Sequence, residues 1–384
     1  MKAFKIKLII IAVMVMIPFS MVNAESVDQV TITSYSSGSM AYSFSAGISE
    51  AVNEVKGIRS RIIPGGNDFA RVMPMREGEV EMTIFTGGTG FFVSRGAEDF
   101  SLEDWGPLPL RVAWRGADLY VGCYTQGNSD IKTVEDLKGK KTARIQGSPT
   151  INNINKGFVA FAGYDPEKDA SYKSFPGHSD AASGLIDGAI DFYNFGTTGD
   201  KPLELASSPK GIRWINLDCD DDEAWDRLRE YAPWPVPGKA TRGAGLSEDN
   251  PVCTLKYPYN FWTLSDVSDE IVYEYAEGIW EGYEIYKDMH DELPYWDHEA
   301  AVDPTGNPVP FHDGLVQFFK DKGVWTEEME EWQQKKVERE EARLELWDKA
   351  VEEAREKGID FDSDEWKQMW WDKLQEKGLL KVYN

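Results

Sequence analysis

From Val27 onward, short apolar runs alternate with amphipathic stretches. Residues 30–34, 58–63 and 80–85 predict strands, because apolar and β-branched residues fill each run and turn residues bound it. Between the first two, residues 42–55 carry Phe44, Ile48, Ala51, Val52 and Val55 at helical spacing and predict a helix with one apolar face. Residues 68–73 predict a short helix that Pro74 ends or kinks. Strict alternation of strand and helix implies a parallel sheet wrapped by helices.

A second run of the same kind begins near Lys132. Residues 131–139 predict a short helix closed by Gly139, followed by a strand over 141–145 and a helix from about 152 to 162 that stops at Gly163. Beyond these come a helix over 179–186 and strands over 189–195 and 212–217. Residues 232–258, dense in Pro, Gly and Lys, predict mostly loop, after which 260–264 reads as strand and 269–286 as one long helix. Strands over 119–125 and 260–264 then bracket the middle of the chain as crossings between two α/β lobes. Lobe I takes residues 25–118 and 262–325, and lobe II takes 119–261.

The last sixty or so residues change character. Residues 326–356 form a charged helix with a narrow apolar seam of Val337, Leu344, Trp347, Val351 and Ala354, and Gly358 stops it. Asp362 with Glu365 then predicts a capping box for a last helix carrying Trp366, Met369, Trp370 and Leu374. Three uses are open to this extension over 326–384: packing on its own domain, pairing in a homodimer, or docking on a partner.

Lys2, Lys5 and Lys7, an apolar run over 8–19 and Val22-Asn-Ala24 predict a cleaved secretory signal peptide over 1–24, with a soluble periplasmic protein from Glu25. The apolar run is short for a membrane span, and no later stretch approaches the ~20 apolar residues that one needs. The chain carries 41 basic against 66 acidic residues, a net charge of −25, made more negative when the leader's lysines leave. That balance excludes nucleic acid and anionic membrane surfaces as partners. Of the three cysteines, Cys123 sits in an apolar run and reads as buried, while Cys219 and Cys253 are left as a possible pair.

Three Gly/Ser/Thr-rich junctions carry the candidate chemistry: Ser34-Tyr-Ser-Ser-Gly-Ser39, Thr86-Gly-Gly-Thr-Gly90 and Gln146-Gly-Ser-Pro-Thr150. Glycine admits close backbone approach, and a helix N-terminus offers unpaired donors and a partial positive charge, so such junctions suit a carboxylate. The candidate ligand contacts are Gly38, Ser39, Met40 and Tyr42 at the first junction; Gly66 and Asn67 after the second strand; Thr86, Gly87 and Gly88; Gln146, Ser148 and Thr150; and Asn194 at a strand end. Several have structural alternatives, Ser39 as a helix cap and Thr86 to Gly88 as a tight turn. Asp68 has two open roles, binding a ligand amine or capping its helix. Arg61, Arg71 and Arg144 are candidates to neutralise a carboxylate, with Arg71 and Arg144 carried forward as site residues. Trp262, with Tyr295 and Trp296, supplies an aromatic wall, and an aromatic cage for a cationic ligand is the alternative reading.

Metal, cofactor and catalytic readings find no support in these motifs. Asp218, Asp220 and Asp222 resemble the start of a calcium loop, but Glu223 replaces the required glycine and Arg229 the terminal glutamate. The four histidines lack zinc-type spacing, and a hydrolase lacks its nucleophile motif.

With these junctions placed, residues 30–325 resemble the TAXI family, the extracytoplasmic solute receptors of TRAP transporters. The resemblance rests on the Gly38-Ser-Met-Ala-Tyr42 turn and its helix, on Pro64-Gly-Gly66 followed by Arg76-Glu-Gly-Glu79, and on Ile131-Lys-Thr-Val-Glu-Asp-Leu-Lys-Gly-Lys140 followed by Gln146-Gly-Ser-Pro-Thr150. It implies a two-lobed, type II periplasmic binding protein of α/β class, each lobe a mixed, mainly parallel sheet with flanking helices. It further implies a non-catalytic receptor that closes on a small organic anion, such as a dicarboxylate or glutamate, and delivers it to an ion-gradient-driven TRAP permease. Asn67-Asp68 stands where the family usually has a Ser-containing stretch, Pro149 where glycine is common, and the C-terminal helices exceed the family's usual length.

Overall fold

The computed structural model describes residues 27–382, so the leader expected over 1–24 lies outside the described residues. Ten strands follow in order: β1 (Gln29–Ser34), β2 (Arg59–Pro64), β3 (Met82–Thr86), β4 (Leu110–Gln126), β5 (Lys141–Ile145), β6 (Ser171–Phe175), β7 (Tyr193–Gly196), β8 (Ile212–Trp214), β9 (Val236–Ala240) and β10 (Val252–Leu264). The helices that position the site or cover it are α1 (Met40–Lys56), α2 (Asp68–Arg76), α3 (Gly87–Arg95), α4 (Pro149–Phe161), α5 (His178–Asp187), α6 (Asp269–Glu281), α7 (Glu327–Lys357) and α8 (Asp364–Glu376).

The alternating pattern produces the parallel part of the sheet. β1 pairs in parallel with β2 and β3, and β5 pairs in parallel with β6. The antiparallel part comes from two long strands. β10 pairs antiparallel with β3, β4 and β9, and β4 pairs antiparallel with β7 and β8, giving the order β2-β1-β3-β10-β4-β7. The register of β4 against β10 runs from Leu264 opposite Leu110 to Leu255 opposite Val121, with shifts beside Pro258 and Phe261. Both strands therefore traverse the molecule, and the expected crossings at 119–125 and 260–264 are parts of them.

Several local expectations are corrected. Residues 232–258 contain β9 and the start of β10 rather than loop alone, because Val252, Cys253 and Leu255 bury on one continuous ladder. Pro74 lies inside α2, in its last turn, where it removes one helical hydrogen bond and the helix still reaches Arg76. The 131–139 segment is a short 3₁₀ turn, Val134–Leu137, held by a capping box between Thr133 and Asp136. The helix expected over 269–286 breaks at Gly282, where a Cβ would come within 2.8 Å of the Gly278 carbonyl and 2.9 Å of Ala51. The cap of α8 is Ser363, whose side chain accepts from the Trp366 N–H, rather than Asp362.

The C-terminal extension is built into the fold. Along the first half of α7 the buried face is polar: Gln333, Lys336, Glu340 and Arg343 turn inward, while Leu344 of the expected apolar seam stays exposed. Gln333 fixes the helix by a two-way bond to Phe311, accepting from its N–H at 2.9 Å and donating to its carbonyl at 2.8 Å. Arg111 pairs with Glu340 at 2.6 Å. In the second half, Trp347 packs against Trp366 and Trp370 and against Gly106, where a Cβ would lie 2.8 Å from its ring. Trp366 donates to the Ser101 carbonyl and Trp370 to that of Arg95. The inward part of the seam thus lies against the chain's own fold.

Cys219 and Cys253 form a disulfide with Cα atoms 5.7 Å apart, closing a loop of 34 residues between β8 and β10. Cys123 is free and buried, and burial pushes its thiol pKa up. Replacing both bridged cysteines by alanine is expected to cost about 3–4 kcal/mol, from the chain entropy that a loop of this length restores to the unfolded state, read by guanidinium unfolding. Truncation after Trp325 is expected to expose the surface that Trp347, Trp366 and Trp370 cover and to abolish the cooperative transition, checked by calorimetry on the shortened chain.

Candidate functional site

Four helices begin at the rim of one small cavity. The N-cap of α1, Ser39, lines it together with Met40 and Ala41; the N-cap of α3, Thr86, lines it beside them. From the other half come Thr150 and Ile151 in the first turn of α4, and His178, which opens α5. Each of these helix starts leaves backbone N–H groups without intrahelical partners and carries a partial positive charge. The cavity measures about 60 Å³. Its remaining wall is aromatic and apolar, including Tyr35, Tyr257, Tyr259 and Phe195.

No carboxylate and no lysine or arginine lines this cavity among the described residues. Two lining residues carry buried polar atoms without a hydrogen-bond partner, Thr86 Oγ1 and Asn194 Oδ1. Asn194 is oriented by its amide nitrogen, which donates to Asn155 Oδ1 at 2.9 Å. The half-buried His178 ring stacks on Phe195 with centroids 4.2 Å apart, and its Nδ1 shares a hydrogen bond of 2.7 Å with the Tyr193 hydroxyl. Burial, with the Arg71 guanidinium nearby, holds this imidazole well below its ordinary pKa, so it is neutral at pH 7.

Arg71 stands one ring behind the wall. Its guanidinium lies over Tyr35 at 3.6 Å from the ring centroid, donates to the Gly65 carbonyl at 3.2 Å, and pairs with Asp68, both side chains being 1% exposed. Asp68 does not cap α2; Asn67 does, accepting from the Ala70 N–H at 2.8 Å. The Asp68 carboxylate instead receives the Thr89 hydroxyl at 3.3 Å and the Thr150 N–H at 3.4 Å. Its pKa is raised by burial, against the lowering pull of Arg71 and of these donors.

These contacts join the two halves directly. Beside the Thr150–Asp68 bond, the Asp68 N–H donates to Ser148 Oγ at 3.3 Å, the Phe69 N–H to the Gly147 carbonyl at 3.2 Å, and Asn67 Nδ2 to the Gln146 carbonyl at 3.3 Å. The Thr89 and Thr150 hydroxyls meet at 3.2 Å. A second bridge lies across the molecule, where Arg242 forks onto Glu292 at 2.9 and 3.0 Å and covers the Tyr295 ring at 3.7 Å.

The structure thus sorts the expected site residues. Ser39, Met40, Thr86, Thr150 and Asn194 line the cavity. Asn67, Gln146 and Ser148 are spent on the bridge between halves, and Ser148 leaves α4 without a side-chain cap because its hydroxyl accepts from Asp68. Gly87 and Gly88 are the first residues of α3 rather than a turn: a Cβ on Gly87 would sit 3.3 Å from Pro258, and one on Gly88 2.6 Å from Trp234 and 2.7 Å from Thr150. Gly38, Tyr42 and Gly66 flank the cavity without lining it; Gly38 sits at φ +85°, which its turn requires. Arg144 is half exposed on β5, 3.6 Å from Glu167, away from the cavity. Trp262 is fully buried, stacks on Phe85 and donates to its carbonyl, so it belongs to the core rather than to a ligand wall.

Residues missed from sequence include His178, Tyr257 and Tyr259. Phe175-Pro-Gly-His178 has the strand, glycine and helix-start order of the other three junctions, which was a usable signal. Tyr257 and Tyr259 alternate on β10, and only the position of that strand brings them to the cavity.

A 127-residue stretch is 28% identical to the probable amino-acid-binding protein YxeM of Bacillus subtilis (strain 168), covering 31% of this chain and 44% of that protein, so the chain spans under half the length of this curated relative. The solved structure of the periplasmic binding protein BugD superposes with a TM-score of 0.50 at 10% identity, over 77% of this chain and 98% of BugD, which shows the fold alone. Both are named as binding proteins rather than enzymes, and the α/β architecture is that of a periplasmic binding protein. Residues 32–323 match the profile of one family over most of the described chain, and the protein therefore belongs to the NMT1-like family.

Proposed function

We propose that this chain is an extracytoplasmic solute receptor that captures a small organic anion in the cavity and delivers it to a membrane permease. The observation that carries the reading is the convergence of four helix N-termini on a cavity lined by no carboxylate. Backbone N–H groups and aligned peptide dipoles favour negative charge there against the overall net charge of −25. Thr86 Oγ1 and Asn194 Oδ1 are left for polar groups of the ligand or for a proton it carries. A cationic ligand in an aromatic cage loses its support, since Trp262 lies in the core and the helix ends repel a cation.

The division into lobe I (25–118 and 262–325) and lobe II (119–261) is part of this proposal. Register shifts in the β4–β10 ladder beside Pro258 and Phe261 fall at these boundaries, and irregular pairing of this kind suits a hinge. The bridge of Asn67, Asp68 and Phe69 to residues 146–150 then acts as a closure contact. TAXI-type delivery to a TRAP permease is the finer reading, supported by the junction motifs and their order in the sequence. In membrane vesicles, uptake sustained by an ion gradient without ATP supports it, and uptake that requires ATP replaces it with an ATP-driven partner.

Titration calorimetry of the protein with a panel of carboxylates, amino acids and sulfonates is expected to give saturable binding of one class without turnover. Conversion of the ligand to product, or binding of organic cations alone, sinks the proposal. Thr86→Val, which removes a hydroxyl that has no hydrogen-bond partner, is expected to weaken that ligand by about 10-fold or more while leaving thermal stability unchanged. Gly88→Val, driving a side chain into Trp234 and Thr150, is expected to enlarge the radius of gyration in small-angle scattering and to weaken binding; a scattering curve identical to wild type counts against closure at this contact.

A further inference from the structure

Arg95, at the end of α3, is fully buried, and its Nε and Nη2 have no hydrogen-bond partner. Its Nη1 donates to Ser94 Oγ at 2.9 Å, and the guanidinium lies over Phe91 at 4.2 Å. Arg343 of α7, 1% exposed, donates its Nε to the Ser94 carbonyl at 3.1 Å, and its Nη2 is also without a partner. Two guanidinium groups therefore converge on Ser94 with three N–H-bearing atoms unsatisfied.

Lys336 and Arg339 complete the cluster, two turns and one turn before Arg343 on α7. Lys336 is 6% exposed and donates to the Val382 carbonyl at 3.0 Å; Arg339, half-buried, donates to the carbonyls of Gly378 and Lys381, both at 2.9 Å. Each of these cations acts electrostatically on others of the set, and burial with their mutual repulsion pushes Lys336 down to about 7. The arginines keep their charge. The acidic group facing them is Glu340, which is engaged with Arg111 at 2.6 Å. Buried charges without counter-charges cost several kcal/mol each, and planar guanidinium groups with free N–H donors match an oxyanion.

We propose that Arg95, Lys336, Arg339 and Arg343 form a buried site for one oxyanion, a sulfate, phosphate or carboxylate group, that locks α7 and the segment 378–382 onto the end of α3. The site is separate from the cavity described above and owes nothing to the receptor reading. A free oxyanion from solution, with inorganic sulfate or phosphate as the probe, supplies this chemistry.

Thermal unfolding of the full chain in millimolar sulfate or phosphate, against chloride at equal ionic strength, tests the site. With a free anion as occupant, the melting temperature rises with the logarithm of anion concentration above the dissociation constant, by about 2 °C at ten times that constant. Arg95→Met and Lys336→Met abolish the rise, two variants guarding against a failure of either to fold. Generic stabilisation by excluded sulfate acts on wild type and variants alike and grows in proportion to salt concentration. Absence of a logarithmic rise in the wild type overturns the proposal, as does a rise that both variants retain.

Discussion

β4 and β10 lie antiparallel from Leu110 beside Leu264 to Val121 beside Leu255, and each strand reaches into both halves of the molecule, so the edges of the cavity that β3 and β7 bring are positioned relative to this one ladder. β3 pairs along β10 and sets Thr86 opposite Tyr259, which starts α3 at the cavity rim. β7 pairs along β4 and sets Asn194 opposite Cys123, facing the same space from the other side. Close packing holds the ladder in place: a Cβ on Gly116 would collide with the Trp296 ring at 2.4 Å. Because interior packing has almost no free volume, the loops inherit the rigidity of the ladder.

A single buried carboxylate organises the opposite edge of the cavity. Asp68 gathers Arg71, Thr89 and Thr150, and its backbone N–H reaches Ser148, so that residues from both halves meet around one charge. Desolvating such a pair costs several kcal/mol, and the added donors offset that cost only in one relative placement of the halves. The same arrangement explains why Arg71 stays behind Tyr35: its charge is already shared with Asp68, and the helix ends rather than a guanidinium supply the positive field at the cavity.

The C-terminal helices follow a parallel logic on the far side. The first half of α7 takes its position from Gln333, Glu340 and Arg343 rather than from an apolar seam, since a polar group excluded from water must meet its partner or forfeit its hydrogen bonds. Trp366 and Trp370 then cover part of the remaining surface, each with its indole N–H on a backbone carbonyl.

Periodicity and turn chemistry alone determined the parallel α/β units, the starts of α1, α4 and α7 within a few residues, and the junctions from which Ser39, Thr86 and Thr150 reach the cavity, because these depend on neighbours within one turn or one strand. Arg144, Trp262 and Gly88 carry the residue types of a binding site, yet only long-range packing decided that one lies on the surface, one in the core and one against Trp234. The same holds for Tyr257 and Tyr259, which come to the cavity through the register of β10, and for the disulfide, whose partners sit 34 residues apart. Which polar residues of α7 turn inward was likewise illegible, since helical spacing offers Leu344 and Arg343 equally and the choice rests with Ser94, 249 residues from Arg343, and with Phe311, 22 residues from Gln333. Local interactions reward a sequence pattern directly, whereas which face is buried, and which charge is paired, is settled by groups that folding alone brings together.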